Sequence, residues 1–170
     1  MQKLLVLIAL EDEAPLTTEK YRSFVRFTGV GKVKAAVQAT KWIMELRPDL
    51  VINLGTAGSC DLSRKGLIEC GIFTNRDDRF LNESIVTDSK KAILSSGDSF
   101  LTHLIPDCHL VDMEGFGIAS ACTILKTDFR CFKFVTDYVG YNSPEDWESK
   151  ISSGDIHFMK VIDDYFQDTL

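Results

Sequence analysis

At 170 residues, with 45% hydrophobic and 26% charged side chains, the chain has the composition of one ordinary globular domain, 1–170, and not of a disordered tail, a fibre or a disulfide miniprotein. Nineteen Lys and Arg against 25 Asp and Glu leave a net charge of −6, and no basic run could neutralise a string of phosphates, so nucleic acid is excluded as an expected partner. No apolar run nears the ~20 residues a bilayer needs. Glu11, Asp12 and Glu13 stand where a signal peptide would need small residues, and five cysteines without CxxC spacing read as reduced. A soluble, cytoplasmic protein that makes no membrane contact is expected.

The apolar run Lys3 to Leu10 is too short for a capped helix and suits a strand buried on both faces. Tyr21 to Thr28 reads as a second strand, ending at Gly29 and Gly31, where the backbone can take positive φ. From Lys32 to Leu46 apolar positions follow helical spacing up to Pro48, which predicts an amphipathic helix. Leu50 to Leu54 reads as a buried strand that runs into a small-residue turn, Gly55 to Ser59. Gly66 to Thr74 and Ala92 to Ser95 are further strands, with the polar stretch Asn75 to Lys91 as an exposed excursion between them. A strand at His109 to Met113, a helix at Glu114 to Leu125 and a strand at Arg130 to Thr136 follow. One long helical region closes the chain, with Ser143 as its N-cap and Pro144 at its first position.

Strands alternating with helices predict an α/β fold: a three-layer α/β/α sandwich around a mixed, mostly parallel sheet. Sites in such sheets lie beyond the carboxyl ends of the strands. Those ends deliver Glu13, Glu114 and Asp137, three carboxylates that suit acid and base work if they converge, although an acid at a loop start is commonly a cap or a solvated charge. The segment VINLGTAGS can cradle phosphate or hold a water near the backbone, yet it lacks both GxGxxG and GxxxxGK. TGVGKVKAA is open to the same two readings. His103, His109 and His157 show no metal-ligand spacing, so no metal is expected. Trp42 and Met44 are candidates for core or subunit interface.

Taken in order, LIALEDEA, TGVGKVKAA, RPDLVINLGTAG, SSGDSF, VDMEGFGIA and FKFVTDY resemble the signatures of the nucleoside phosphorylase superfamily. Within it they look most like the 5'-methylthioadenosine/S-adenosylhomocysteine nucleosidases. The resemblance implies hydrolysis of the N-glycosidic bond of a purine nucleoside, with no cofactor and a homodimeric assembly. It makes Asp137 the acid at the purine N7 and Glu13 the residue that positions and deprotonates the attacking water, with Thr56 beside that water and Ala57 and Gly58 among the substrate-binding residues. Phe100 is matched to the residue stacking on the base and Leu101 to the one contacting the purine edge, while Met113 packs on ribose and Glu114 accepts its hydroxyls. Lys133 stands where the family commonly has Arg, with Thr136 just before the acid, so a bidentate contact becomes a point charge. The helix after the first strand is reduced to Ala14 to Lys20, the region between Gly66 and Ser96 is compressed, and TDYVG lacks the second Asp usual after the acid. A phosphorylase, or a degenerate nucleoside-binding member, is the alternative. Against the phosphorylase, Asn53 and Leu54 occupy the place where such enzymes tend to present an arginine to phosphate.

Overall fold

The computed structural model describes residues 3–78, 83–140 and 143–168. Eight strands form one mixed sheet: β1 Leu4–Ile8, β2 Val25–Phe27, β3 Leu50–Ser59, β4 Leu67–Asn75, β5 Ser84–Val86, β6 Ala92–Ser96, β7 Leu110–Asp112 and β8 Asp128–Tyr138. Parallel pairs join β1 to β2 and β3, β3 to β8, and β6 to β4 and β7. Antiparallel pairs join β3 to β7 and β4 to β5 and β8. Following these pairs from β3 through β7, β6, β4 and β8 returns to β3, so five strands close into a ring while β2, β1 and β5 extend from it. The sheet is mixed, as expected, but the expectation of a three-layer sandwich around it is corrected to this extent: the sheet closes on itself, because β8 pairs parallel to β3 on one side and antiparallel to β4 on the other.

The buried strands serve two cores by simple alternation. Leu5 and Leu7 of β1 and Val51 of β3 face one core, which takes Ala35, Ala39 and Ile43 from helix α2 (Lys32–Leu46) and Ile118 and Cys122 from helix α3 (Gly115–Leu125). Leu4, Val6 and Ile8, with Leu50, Ile52 and Leu54, face the other, which is filled by Phe158 and Ile162 of helix α5 (Asp155–Asp168). Trp42 packs half-buried against the first core, with the Arg26 guanidinium and the Lys41 ammonium over its ring, whereas Met44 is exposed.

Helix α2 has the predicted bounds, opened by Gly31 at φ 101° and stopped at Arg47 in the left-handed region, just before Pro48. Elsewhere the boundaries differ for physical reasons. The small-residue segment 55–59 is the second half of β3 and not a turn, since β8 pairs along it to Tyr138. Strand β5 lies inside the stretch read as an excursion, of which 79–82 are outside the described residues. The long C-terminal helix is two helices, α4 (Ser143–Lys150) and α5, parted at Gly154, where an added Cβ would lie 2.6 Å from that of Phe134. The cap expected of the Ser143 side chain is outside the described residues.

Candidate active site

The carboxyl ends of β1, β3, β7 and β8 meet around one recess. Glu13 enters it from a single 3-10 turn, Glu11–Glu13, directly after β1. The turn runs into the short helix α1 (Pro15–Lys20), whose first residues offer backbone N–H groups with no partner inside the helix. Asp155, buried at the start of α5, supplies the missing acceptors: its carboxylate takes the N–H groups of Leu16 at 2.7 Å and Thr17 at 2.9 Å, and the Thr17 hydroxyl. The backbone carrying Glu13 is thereby clamped from the opposite end of the sequence.

Glu13 is buried and fully engaged. Its Oε1 accepts the backbone N–H of Thr56 at 2.9 Å and the Thr56 hydroxyl at 2.7 Å, and its Oε2 accepts the N–H of Leu10 at 3.2 Å. Ala57 and Gly58 follow Thr56 along the wall. Gly58 has a steric reason: an added Cβ would fall 2.9 Å from Oδ2 of Asp137. Asp137, buried near the end of β8, accepts the Thr136 hydroxyl at 2.9 Å and faces Glu13 across the recess. Glu114, at the junction of β7 and α3, accepts the N–H of Gly31 at 3.1 Å. Burial, reinforced by the charge of Asp112, raises its carboxyl to about 7 against the pull of Lys133 and the Gly31 N–H. Phe100, Leu101 and Met113 also line the recess.

Two expected contributors stand behind the wall. Thr136 orients Asp137 instead of lining the recess. Lys133, read from sequence as a point-charge contact to a carboxylate or water, pairs with the Asp112 carboxylate at 2.9 Å, the two side chains being 2% and 1% exposed. Burial disfavours its charge, but Asp112, aided by the Glu114 and Glu13 carboxylates, outweighs that and raises the ammonium above its ordinary value. Asp112 is likewise held ionised against its burial by Lys133, the Ser96 hydroxyl and the Gly115 N–H. The fixed cation thus sits beneath Gly55, whose added Cβ would meet Lys133 Nζ at 3.2 Å and Glu13 Oε1 at 3.4 Å.

Three side chains were missed from sequence. Asp112 had a signal, since a lysine inside the apolar run FKFV needs a buried counter-charge. Arg76 lines the recess, but its guanidinium is committed to the carbonyls of Ser95 at 3.1 Å, Asp112 at 2.7 Å and Ser99, bracing the loop before Phe100. Trp147 of α4 closes the recess against Phe100, ring centroids 6.0 Å apart at 65°.

No family model matches the chain. A 5'-methylthioadenosine/S-adenosylhomocysteine nucleosidase of Colwellia psychrerythraea is 26% identical over 181 aligned residues, which span 79% of this chain and 74% of the relative. The crystal structure of the nucleosidase from that organism in complex with adenine superposes with a TM-score of 0.81 at 21% identity, covering 92% of this chain and 91% of the other. A mutant nucleosidase of Helicobacter pylori with 5'-methylthioadenosine in its active site superposes with a TM-score of 0.88 at 16% identity, covering 99% of both. In sequence, over most of its length, and in fold, the chain is similar to the 5'-methylthioadenosine/S-adenosylhomocysteine nucleosidases.

Proposed function

We propose that the protein hydrolyses the N-glycosidic bond of a purine nucleoside, 5'-methylthioadenosine, S-adenosylhomocysteine or a related adenosine derivative, and releases the free base. The observation that carries this is the placing of Glu13, Glu114 and Asp137 on one recess, whose walls are otherwise largely apolar. Cleaving the bond builds positive charge on the ribose ring and negative charge on the departing base. Asp137 protonates or hydrogen-bonds the base at N7, which makes it a better leaving group. Glu13, held by Thr56 and Leu10, takes a proton from the attacking water, and Glu114 binds the ribose hydroxyls. Phe100, Leu101 and Met113 hold the base and sugar in place. Lys133 supports the site from behind, where its charge offsets the crowd of carboxylates without meeting the substrate.

Water is favoured over phosphate as the nucleophile by what occupies the anion sites. Asn53 is sealed inside β3, donating to the carbonyl of Leu7 at 3.0 Å. The amino end of α2, a ready anion site in principle, already takes Glu114 on Gly31 and Asp98 on Lys32. Arg76 is spent on carbonyls. We further infer a cytoplasmic homodimer, supported by the apolar outer face of α2; among the described residues no helix is long and apolar enough to cross a membrane.

The test is release of free base from a nucleoside panel in phosphate-free buffer. Turnover that strictly requires phosphate and yields ribose 1-phosphate would overturn the hydrolase. Asp137→Asn and Glu13→Gln are expected to fold and to lose at least about 100-fold in kcat, the scale usual for general acid or base catalysis. A folded Asp137→Asn variant with near-normal release from every substrate of the parent would remove Asp137 from the mechanism.

A further inference from the structure

Trp147 is the fifth residue of the exposed, polar helix α4, yet its indole reaches into the recess and its Nε1–H donates to the Thr56 hydroxyl oxygen at 2.9 Å. That same hydroxyl donates to Oε1 of Glu13 at 2.7 Å. The direction of this chain is fixed by the chemistry of its members. An indole N–H only donates, a carboxylate only accepts, and a hydroxyl has one proton to give. With Trp147 donating to one of its two lone pairs and Glu13 able only to accept, the Thr56 hydroxyl is oriented so that its single proton points at Glu13 and not at a water or substrate atom.

We infer that Trp147 is a positioning residue for the general base: its indole N–H fixes the Thr56 hydroxyl on Glu13 and so ties the seating of helix α4 to the readiness of the base. The inference rests on the nucleosidase reading and adds to it a role for the indole N–H that is separate from the ring's place in the wall. When α4 is seated, Glu13 keeps one oxygen held by Thr56 and presents the other towards the Leu10 N–H and the recess. When it is displaced, the hydroxyl is free to rotate and the base loses a fixed neighbour. A single neutral hydrogen bond of this kind is worth about 0.5–1.5 kcal/mol net, or roughly 2- to 12-fold in a rate.

The experiment uses the full chain and initial rates of adenine release from 5'-methylthioadenosine. Trp147→Phe keeps an aromatic wall and removes the N–H. It is expected to lower kcat by roughly 3- to 10-fold with KM held within about twofold, and Trp147→His, which restores a ring N–H donor, is expected to recover part of the loss. In a Thr56→Ala background Trp147→Phe should cost nothing further, because the residue through which Trp147 acts is gone. Unchanged kcat with raised KM would make Trp147 wall alone and overturn the proposal, as would an undiminished loss in the Thr56→Ala background. The same cycle run with Trp147→Leu decides the matter should Trp147→Phe fail to fold. Parent activity separates the two levels: an inactive parent sinks the nucleosidase reading and this inference together, whereas an active parent with an unaffected Trp147→Phe sinks only the inference.

Discussion

Glu114 carries a carboxyl raised by burial in the recess, and the sign of that shift has a measurable consequence. Its folded-state value of about 7 lies above the ordinary 4.5, first through burial and then through the charge of Asp112. Below pH 4.5 folded and unfolded chains both hold the proton, and no penalty exists. Between 4.5 and about 7 the unfolded chain releases it while the folded chain does not, so stability falls as pH rises; above 7 the full penalty, on the order of 3 kcal/mol, is present. Glu114→Gln cannot ionise. Its thermal midpoint relative to the parent should therefore climb across this window and level off above it, and a difference that stays flat with pH would refute the assignment. Activity should move the other way, since kcat/KM depends on the ionised Glu114 as acceptor of ribose hydroxyls, and the variant should lose the limb that rises towards pH 7. The side chains of the recess were legible where a motif fixed both type and place, as with Glu13, Glu114 and Asp137. Lys133 was legible as a charge but not as half of a buried pair, because its partner Asp112 lies 21 residues earlier on a strand that never touches β8 in sequence. Trp147 gave no signal, being one aromatic in the polar run SPEDWESK.

Helices α2 and α3 approach at a glycine. A Cβ on Gly117 would lie 2.4 Å from the carbonyl oxygen of Lys32, a backbone atom at the first turn of α2 that cannot swing aside. Gly117→Ala should then push the two helices apart, costing about 1–3 kcal/mol as overpacking commonly does, or roughly 2–4 °C in Tm per kcal/mol for a chain of this size. Thermal unfolding checks it, and a Tm equal to the parent's would mean the helices are free to shift. Because Gly31 and Lys32 hold Glu114 and Asp98, the same change should also weaken substrate binding. Element by element, the bounds of α2 were readable because its helical period is long and its ends carry Gly31 and Pro48, but its buried face was not, since small Ala35 and Ala39 enter the core with Ile43 while Val33, Val37 and Met44 stay exposed. The stretch 55–59 was not, since small residues look alike in a turn and in a strand, and only the register with β8 decides between them. The break before α5 turns on the lack of space between Gly154 and Phe134, a contact across 20 residues that periodicity does not encode.

At the scale of the molecule, the outer face of α2 bears on assembly. Val33, Val37 and Met44 lie on one stripe of the helix and are 72%, 61% and 63% exposed, a face that water covers poorly. Sedimentation of the parent at micromolar concentration is expected to give a dimer, and Val37→Glu with Met44→Glu is expected to shift it to monomer. A parent that is monomeric and fully active throughout that range would remove the homodimer.

The closed ring of strands also dictates an order of events when the chain is made. Its closing member, β8, is the last strand to be synthesised, and it pairs with β3 across a separation of 78 residues, from Leu50 to Asp128. Until it emerges, one edge of β3 and the first half of β4 stand open, both apolar and both ready to accept a strand from another nascent chain. Such a distant pairing is entropically slow to find, so the interval is one of exposure. Asp137 and the cation of Lys133 arrive with that same strand. On the mechanism proposed above, a partly made or partly refolded molecule therefore holds Glu13 without Asp137, and the capacity to cleave is expected only once the ring shuts.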